Sequence, residues 1–179
     1  MTFRNNMATQ LTTSQTYPTT ILASIQPHLL SQISMQLKTI EGITYFTPTA
    51  GRFDLAIELK AMEPKQVQDV VNKVRSLSGV TATRTYTPIE GSATTKTVQA
   101  SDSLALILLQ VNEQAQKVLQ SLMQNQHIRN AFAVQGEFDI LATVYGKNTD
   151  EIFSAVTKIG EIDGVRTSET LVAYRPTWA

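Results

Sequence analysis

The residues best placed to do chemistry in this sequence are two copies of a Gly-x-Phe-Asp tetrapeptide. The first runs from Gly51 to Asp54 and the second from Gly136 to Asp139. An aspartate beside a glycine turn can accept hydrogen bonds from nearby backbone amides, or it can leave its carboxylate free for a ligand. The tetrapeptide is compatible with a structural turn and with a binding site, and both uses stay open at this point.

Other reactive groups are scarce. The chain has no cysteine, which excludes thiol catalysis, disulfides and thiolate metal sites. His28 and His127 are the candidates for haem or histidine-metal chemistry, but neither has a metal-ligand spacing. We interpret both as ordinary surface or helix-end residues. Glycine-rich phosphate loops, nucleophile elbows and His-Glu-x-x-His motifs are absent from the sequence. We therefore predict no metal and no cofactor.

Composition and charge narrow the function classes. A 179-residue chain with 42% hydrophobic and 17% charged residues is typical of a globular protein. Its 15 basic residues balance its 15 acidic ones, so it lacks the basic excess that neutralises phosphates, and we predict no direct contact with nucleic acid. No segment approaches the roughly 18 apolar residues of a membrane span. We predict no membrane contact and a cytoplasmic location, with the polar residues 1–18 as a flexible leader.

The elements that position the tetrapeptides also occur twice. Gly51 recurs as Gly136 and Gly79 as Gly164, each after 85 residues (136 − 51 and 164 − 79). A constant offset over two separated landmarks indicates an internal repeat. We divide the chain into a first unit at 19–88, a linker rich in Ser, Thr and Gly at 89–102, and a second unit at 103–176.

Hydrophobic periodicity predicts the same order of elements in each unit. In the first, strands at 21–26, 43–47, 53–59 and 80–87 alternate with helices that begin near Pro27 and Pro64. In the second, strands at 104–111, 128–134, 138–145 and 165–174 alternate with helices that Asn112 and Asn148 cap. Each unit is thus β-α-β-β-α-β, the ferredoxin-like arrangement within the α+β class. Because the strand at 104–111 is apolar on both faces, we expect the sheets to pack face to face, within one chain or between chains.

Two motifs of each unit resemble the effector-binding domain of Lrp/AsnC regulators, known as the RAM domain. These are Gly136-Glu-Phe-Asp139 with the later run Ile162-Asp-Gly-Val165, and Gly51-Arg-Phe-Asp54 with Leu77-Ser-Gly-Val80. The resemblance implies sheet-mediated dimers of the dimeric α/β-barrel type and an effector, usually an amino acid, bound near these motifs. A carboxylate would take the ammonium of the effector and amides beside glycine its carboxylate. The ligand-binding residues that it implies are Gly51, Arg52, Asp54, Thr85, Tyr86, Gly136, Glu137, Asp139, Thr170 and Leu171.

The resemblance leaves out the helix-turn-helix of the family, which has no counterpart before residue 19. We therefore interpret the chain as a non-catalytic module that senses an amino acid or related metabolite and regulates transcription indirectly. Its expected partners are further copies of itself, as a homo-oligomer, and helix-turn-helix Lrp/AsnC regulators. One alternative is a dimeric α/β-barrel enzyme, such as a small monooxygenase or a haem-degrading protein, whose enclosed sheet face holds the substrate. Another is an assembly domain without a ligand.

Overall fold

The computed structural model describes residues 18–60, 62–93, 99–112 and 114–174, which form nine strands, four α-helices and a 3-10 helix at Pro27–Leu29. The first half contains β1 Thr19–Ile25, α1 Leu30–Leu37, β2 Ile43–Ala50, β3 Leu55–Leu59, α2 Pro64–Ser76 and β4 Val80–Tyr86. The rest contains β5 Pro88–Ala93, β6 Ser103–Val111, α3 Ala115–Met123, β7 Ile128–Val134, β8 Ile140–Gly146, α4 Thr149–Gly160 and β9 Val165–Ala173. The predicted α+β class is confirmed. Nearly all of the predicted leader, and Trp178, to which we assign no role, lie outside the described residues.

Local sequence signals explain where several helices begin. Helix α2 starts at Pro64, and Glu63 and Gln66 form a capping box around its first turn. Helix α4 starts after Asn148, whose Oδ1 accepts a hydrogen bond from the backbone N of Glu151 at 3.0 Å. The predicted cap at Asn112 is wrong, because α3 begins after Gln114 and has no side-chain capping hydrogen bond there.

All the strands belong to one antiparallel sheet in the order β4-β1-β3-β2-β9-β6-β8-β7-β5. The two halves are joined where β2 pairs with β9, at Thr49 opposite Ala173 and Ala50 opposite Val172. The sheet ends at β4 on one side and at β5 on the other, although only Thr87 separates these two strands in the chain.

Strand β5 lies in the segment that the sequence assigns to a linker. Its residues pair with β7, from Pro88 opposite Val134 to Ala93 opposite Asn130. A Ser/Gly-rich composition has no strong preference for a strand by itself. Here the hydrogen-bonding edge of β7 holds the segment in an extended conformation.

Three apolar clusters form the interior. One lies between the strands and helices of the first half and a second occupies the same place in the second half. The third cluster combines both halves and contains Leu22, Phe53, Tyr86, Leu108, Phe132, Val134, Phe138, Leu141 and Leu171.

The two phenylalanines of the tetrapeptides correct one prediction. Periodicity places Phe53 with Leu55 and Phe138 with Ile140 on the helix-covered face of a strand. The structure places Leu55 and Ile140 there, but both phenylalanines belong to the third cluster. Strands β3 and β8 begin two residues later than predicted, so each phenylalanine precedes its strand and turns to the other side of the sheet.

Candidate active site

The two Gly-x-Phe-Asp loops lie against each other. The guanidinium of Arg52 donates to both carboxylate oxygens of Glu137, at 2.6 and 2.8 Å, and also to Glu169 at 3.2 Å. It also lies over the rings of Phe53 and Phe138, with its central carbon 5.3 and 5.7 Å from their centroids. We call Arg52, Glu137 and Glu169 the clasp. Sequence analysis predicts Arg52 and Glu137 as ligand contacts, and the structure brings them together as partners of each other.

The electrostatics of the clasp follow from this geometry. The hydrogen bond to Glu137 raises the pKa of Arg52, and the charges of Glu137 and Glu169 act in the same direction. The same bond lowers the pKa of the Glu137 carboxyl. Both side chains are about two-fifths exposed, at 40% and 38%, so solvent screens the pair.

Both predicted aspartates accept hydrogen bonds from the ends of strands 29 and 28 residues earlier in the chain. Oδ2 of Asp54 accepts a hydrogen bond from the backbone N of Ile25 at 2.8 Å. Oδ2 of Asp139 accepts one from the backbone N of Val111, also at 2.8 Å. Asp139 further lines an open cleft of about 890 Å³ at the end of β6. The ion pair at this cleft joins the exposed Lys117 and Asp163 at 3.6 Å, so water surrounds its charges.

The predicted residues of β4 and β9 support the opposite loop. Gly51 lies against Leu171 and the carbonyl oxygen of Thr170, while Gly136 lies against the ring of Tyr86. Leu171 and Tyr86 are buried. Burial raises the pKa of the Tyr86 hydroxyl, and the negative charge of Glu137 adds to this. The hydroxyl of Thr85, the remaining predicted residue, is buried without a hydrogen-bond partner. A ligand-binding role for this whole set stays a prediction.

A different set of residues lines a partly open cavity of about 70 Å³ between the halves, which we call the inner cavity. Its walls come from β1, β2 and β3 on one side and from β6, β8 and β9 on the other. The apolar lining consists of Ala56, Ile57, Leu104, Ala105, Leu106 and Ala173. The polar lining consists of Thr20, Tyr45, Thr47, Thr49, Glu58 and Thr143.

The two halves differ in the size of the side chains at positions that line the inner cavity. Thr47 corresponds to Phe132 and Ala56 to Leu141, each 85 residues later (132 − 47 and 141 − 56). Phe132 and Leu141 are buried in the third cluster, whereas Thr47 and Ala56 line the inner cavity. The first half therefore has small side chains at two positions where the second half has large buried ones.

Glu58 is the acidic residue of the inner cavity. Burial of its carboxyl raises its pKa, while the positive charge of Arg129 and the hydroxyl of Thr44 act in the opposite direction. Its counterpart in the second half is Thr143 (143 − 58 = 85), which lines the same cavity. Sequence reasoning missed Glu58 because no motif contains it. The signal that could have identified it is the mixed face of β3, where Ala56 and Glu58 stand at the positions of Leu141 and Thr143 in the second half.

A second cleft, of about 280 Å³, lies next to the inner cavity, and we call it the mouth. The cavity and the mouth share Tyr45, Thr47, Leu104 and Ala173. The mouth is completed by Tyr174 and the residues 100–103 that lead into β6.

Comparisons with known proteins bear separately on the predicted family and on the predicted function. A family model described as the Lrp/AsnC ligand binding domain matches residues 104–178, which agrees with the resemblance for the second half. No curated protein sequence matches the chain. The matching family supports small-molecule binding by this region. Two tandem copies, the missing helix-turn-helix and the specific partners stay predictions.

Solved structures share the fold over most of the chain. A siroheme decarboxylase, NirDL, in complex with an iron-uroporphyrin III analogue has 11% identity and a TM-score of 0.66, with 89% of this chain and 71% of that one covered. The same enzyme without the analogue has 10% identity and a TM-score of 0.67 over the same shares, 89% and 71%. Chlorite dismutase from Candidatus Nitrospira defluvii with imidazole has 8% identity and a TM-score of 0.60, with 91% and 93% covered. At these identities the likeness establishes a shared fold.

These structures correct the predicted function. The interpretation as a non-catalytic amino-acid-sensing module is wrong, because the proteins that share the fold along nearly the whole chain are enzymes. The resemblance to regulators rests on motifs of one binding domain, and the same fold also supports catalysis. As for location, no helix in the described ranges has the length and apolar character of a membrane span.

Proposed function

We propose that this chain is an enzyme of the dimeric α/β-barrel type, with the inner cavity as its active site and Glu58 as its acid–base group. The substrate is a small organic molecule, and the reaction involves proton transfer to or from a carbon or oxygen held beside Glu58. The observation that carries the proposal is the asymmetry of the repeat, because the first half lines the cavity with small side chains and a partly buried carboxyl where the second half has Phe132, Leu141 and Thr143.

The barrel follows from the order of the strands. Neighbouring strands lie about 4.8 Å apart, so the edges of a flat nine-stranded sheet would be about 38 Å apart. Thr87 alone joins the edge strands β4 and β5, and one residue spans at most about 3.6 Å. The sheet must therefore curve until its edges meet. In this proposal the units at 19–88 and 103–176 face each other within one chain, with the third cluster as the filling, and β5 extends the last strand of the first unit.

The chemistry of Glu58 follows from its surroundings. A carboxyl that is partly shielded from water is shifted toward its neutral form and can donate a proton to a carbonyl or carboxylate of the substrate. After donation, the positive charge of Arg129 stabilises the carboxylate that remains. The hydroxyls of Thr20 and Thr143 line the same space and can orient polar atoms of the substrate. Leu104 and Leu106 complete an apolar wall that limits access of water.

A tetrapyrrole, the class of the ligand in the decarboxylase complex, does not fit these residues. Haem iron is held by an axial side chain, most often histidine. His28 is exposed, and Nδ1 of His127 lies 3.1 Å from the carbonyl oxygen of Tyr145, outside the inner cavity. A cavity of about 70 Å³ is also much smaller than a pocket that encloses a whole ligand of that size, roughly 300–1,000 Å³.

Proton exchange tests the proposal without knowledge of the product. The full chain is incubated in D2O with a panel of small ketones, 2-oxo acids and phenylalkanoates, and NMR follows loss of C–H signals or appearance of new ones. We expect at least one compound to react, and Glu58→Gln to lower its rate by at least about 100-fold, the usual contribution of a general acid or base.

The matched control is Glu41→Gln, because the Glu41 side chain is 91% exposed, forms an ion pair with Lys60 at 3.8 Å and does not line the cavity. This variant should retain the wild-type rate. Equal rates for wild type and Glu58→Gln would refute the assignment of Glu58. A further arm is Ala56→Leu, which copies the second half and should close the cavity and abolish the reaction while the melting temperature is kept.

A further inference from the structure

Strand β4 has a free edge. It pairs with β1 on one side, and within the described ranges no strand pairs with it on the other. Strand β7 does not reach it, because Val134, the last residue of β7, already pairs with Pro88 of β5. In an antiparallel strand every second residue points its N–H and C=O away from its partner. The edge of β4 therefore presents backbone hydrogen-bonding groups to a further strand.

An open groove of about 300 Å³ follows this edge. It is lined by residues 80–84 and by Arg75 of helix α2. Thr81, Ala82 and Arg84 are exposed there. The charged residues of the lining are Arg75 and Arg84, and the lining contains no acidic residue. The groove is therefore positively charged.

The two arginines lie on opposite faces of β4. Nε of Arg75 donates to Oγ1 of Thr83 at 2.8 Å, on the face that α2 covers. Arg84 follows Thr83 and so lies on the other face, where its charge contributes to the lowered pKa of Glu137 in the clasp. Among the described residues, no carboxylate lies within 4.0 Å of either guanidinium. Both arginines thus retain donors for a ligand.

The second half does not repeat this charge. The counterpart of Arg75 is Gly160, and that of Arg84 is Glu169 (160 − 75 and 169 − 84 are both 85). Glu169 is already held by Arg52 in the clasp. The two positive charges beside the strand are therefore a property of the first half.

We propose that the free edge of β4 binds an extended acidic segment of a partner protein, which adds to the sheet as one more strand. Backbone hydrogen bonds give such a complex its affinity, and side chains give it specificity. Successive side chains of a strand point to opposite faces, so two consecutive acidic residues can face Arg75 and Arg84. A second copy of this chain would bring its own arginines to the edge, and like charges repel. This binding surface does not depend on the reaction at Glu58.

Three labelled hexapeptides test the proposal with the full chain. The first has two central glutamates flanked by valines and threonines, the second has lysines in place of the glutamates, and the third is the acidic peptide with every backbone nitrogen methylated. Fluorescence anisotropy measures binding at about 50 mM salt, where charges are weakly screened. We expect the acidic peptide to bind at least about tenfold more tightly than the lysine peptide. The methylated peptide should not bind, because it cannot donate backbone hydrogen bonds.

Variants of the arginines locate the site. Arg75→Glu and Arg84→Glu should each weaken binding of the acidic peptide at least about threefold, and the double variant about tenfold or more. The matched control is Arg166→Glu, because Arg166 is an exposed arginine of β9 that lines a different cleft. It should bind the peptide as wild type does. The bound peptide should also slow amide hydrogen exchange within residues 80–84 and leave residues 165–169 unchanged.

Three results would overturn the proposal. One is equal binding of the acidic and lysine peptides, and another is binding of the methylated peptide with the affinity of the acidic one. The third is a loss of affinity in Arg166→Glu as large as that in Arg84→Glu.

Discussion

Gly51→Ala is expected to destabilise the protein by about 2–5 kcal/mol, from backbone strain of about 1–3 kcal/mol and overpacking of similar size. The strain arises because Gly51 has φ +147°, a conformation that residues with a side chain rarely adopt. The overpacking arises because a Cβ there would lie 2.7 Å from Cδ2 of Leu171 and 3.1 Å from the carbonyl oxygen of Thr170. Leu171 belongs to the other half, so the loss would report on contact between the halves.

Thermal unfolding followed by circular dichroism measures the effect. For a chain of this length, 1 kcal/mol corresponds to about 2–4 °C, so the melting temperature should fall by about 4–20 °C. Gly136→Ala provides the matched comparison: its φ of +144° gives the same strain, but a Cβ there would meet only the ring of Tyr86, at 3.2 Å or more. We expect a smaller loss, of about 1–3 kcal/mol.

The internal control is Gly160→Ala at the end of α4, where a Cβ would have no neighbour within 4 Å. This change should leave stability unchanged or raise it by up to about 1 kcal/mol. If Gly51→Ala melts at the wild-type temperature, or if Gly160→Ala is equally damaging, the packing of the first tetrapeptide against β9 is not as described. The structural-turn use of the motif would then lose its support.

Three further outcomes are expected. Arg52→Glu should lower the melting temperature, and the decrease should be larger at low salt than at high salt. Adding Glu137→Arg should restore part of the melting temperature. A decrease that does not depend on salt would contradict the ion pair. Because the pKa of Glu58 in the folded state is raised above its usual 4.5, its contribution to stability is full below 4.5 and is lost as pH rises through the folded-state pKa. Wild type should therefore lose melting temperature across that window and Glu58→Gln should not, as a pH series of melting curves would reveal. Leu108→Ala, in the third cluster, should cost about 2–5 kcal/mol in urea unfolding, whereas Met35→Ala, at a side chain 61% exposed, should change stability by less than about 0.5 kcal/mol.

The clasp explains why the two halves carry opposite charges at equivalent positions. Arg52 and Glu137 occupy equivalent positions, as do Arg84 and Glu169 (169 − 84 = 85), so the halves carry opposite charges at both places. Sequence comparison treats such differences as divergence between two ligand pockets. In the folded chain the differences are complementary, because one loop is the partner of the other.

The sequence by itself determined the features that depend on near neighbours in the chain. Hydrophobic periods of two or about 3.6 residues decide strands and helices, and Pro64 or Asn148 decides where a helix begins, because these effects act within a few residues. The order of elements in each half and the α+β class were predictable for that reason. A binding site near the Gly-x-Phe-Asp motifs was predicted from resemblance, and in the structure their aspartates accept hydrogen bonds from the ends of β1 and β6.

Only the tertiary structure decided which surfaces meet. Residues 88–93 form a strand because β7 offers a free edge, and Phe53 turns away from its strand because the other half covers it. The inner cavity exists because Thr47 and Ala56 are small at positions that face β6 and β9, far away in the chain. The volume of the inner cavity depends on how the side chains of both halves pack together. The burial that raises the pKa of Glu58 has the same origin, and no local sequence pattern encodes it.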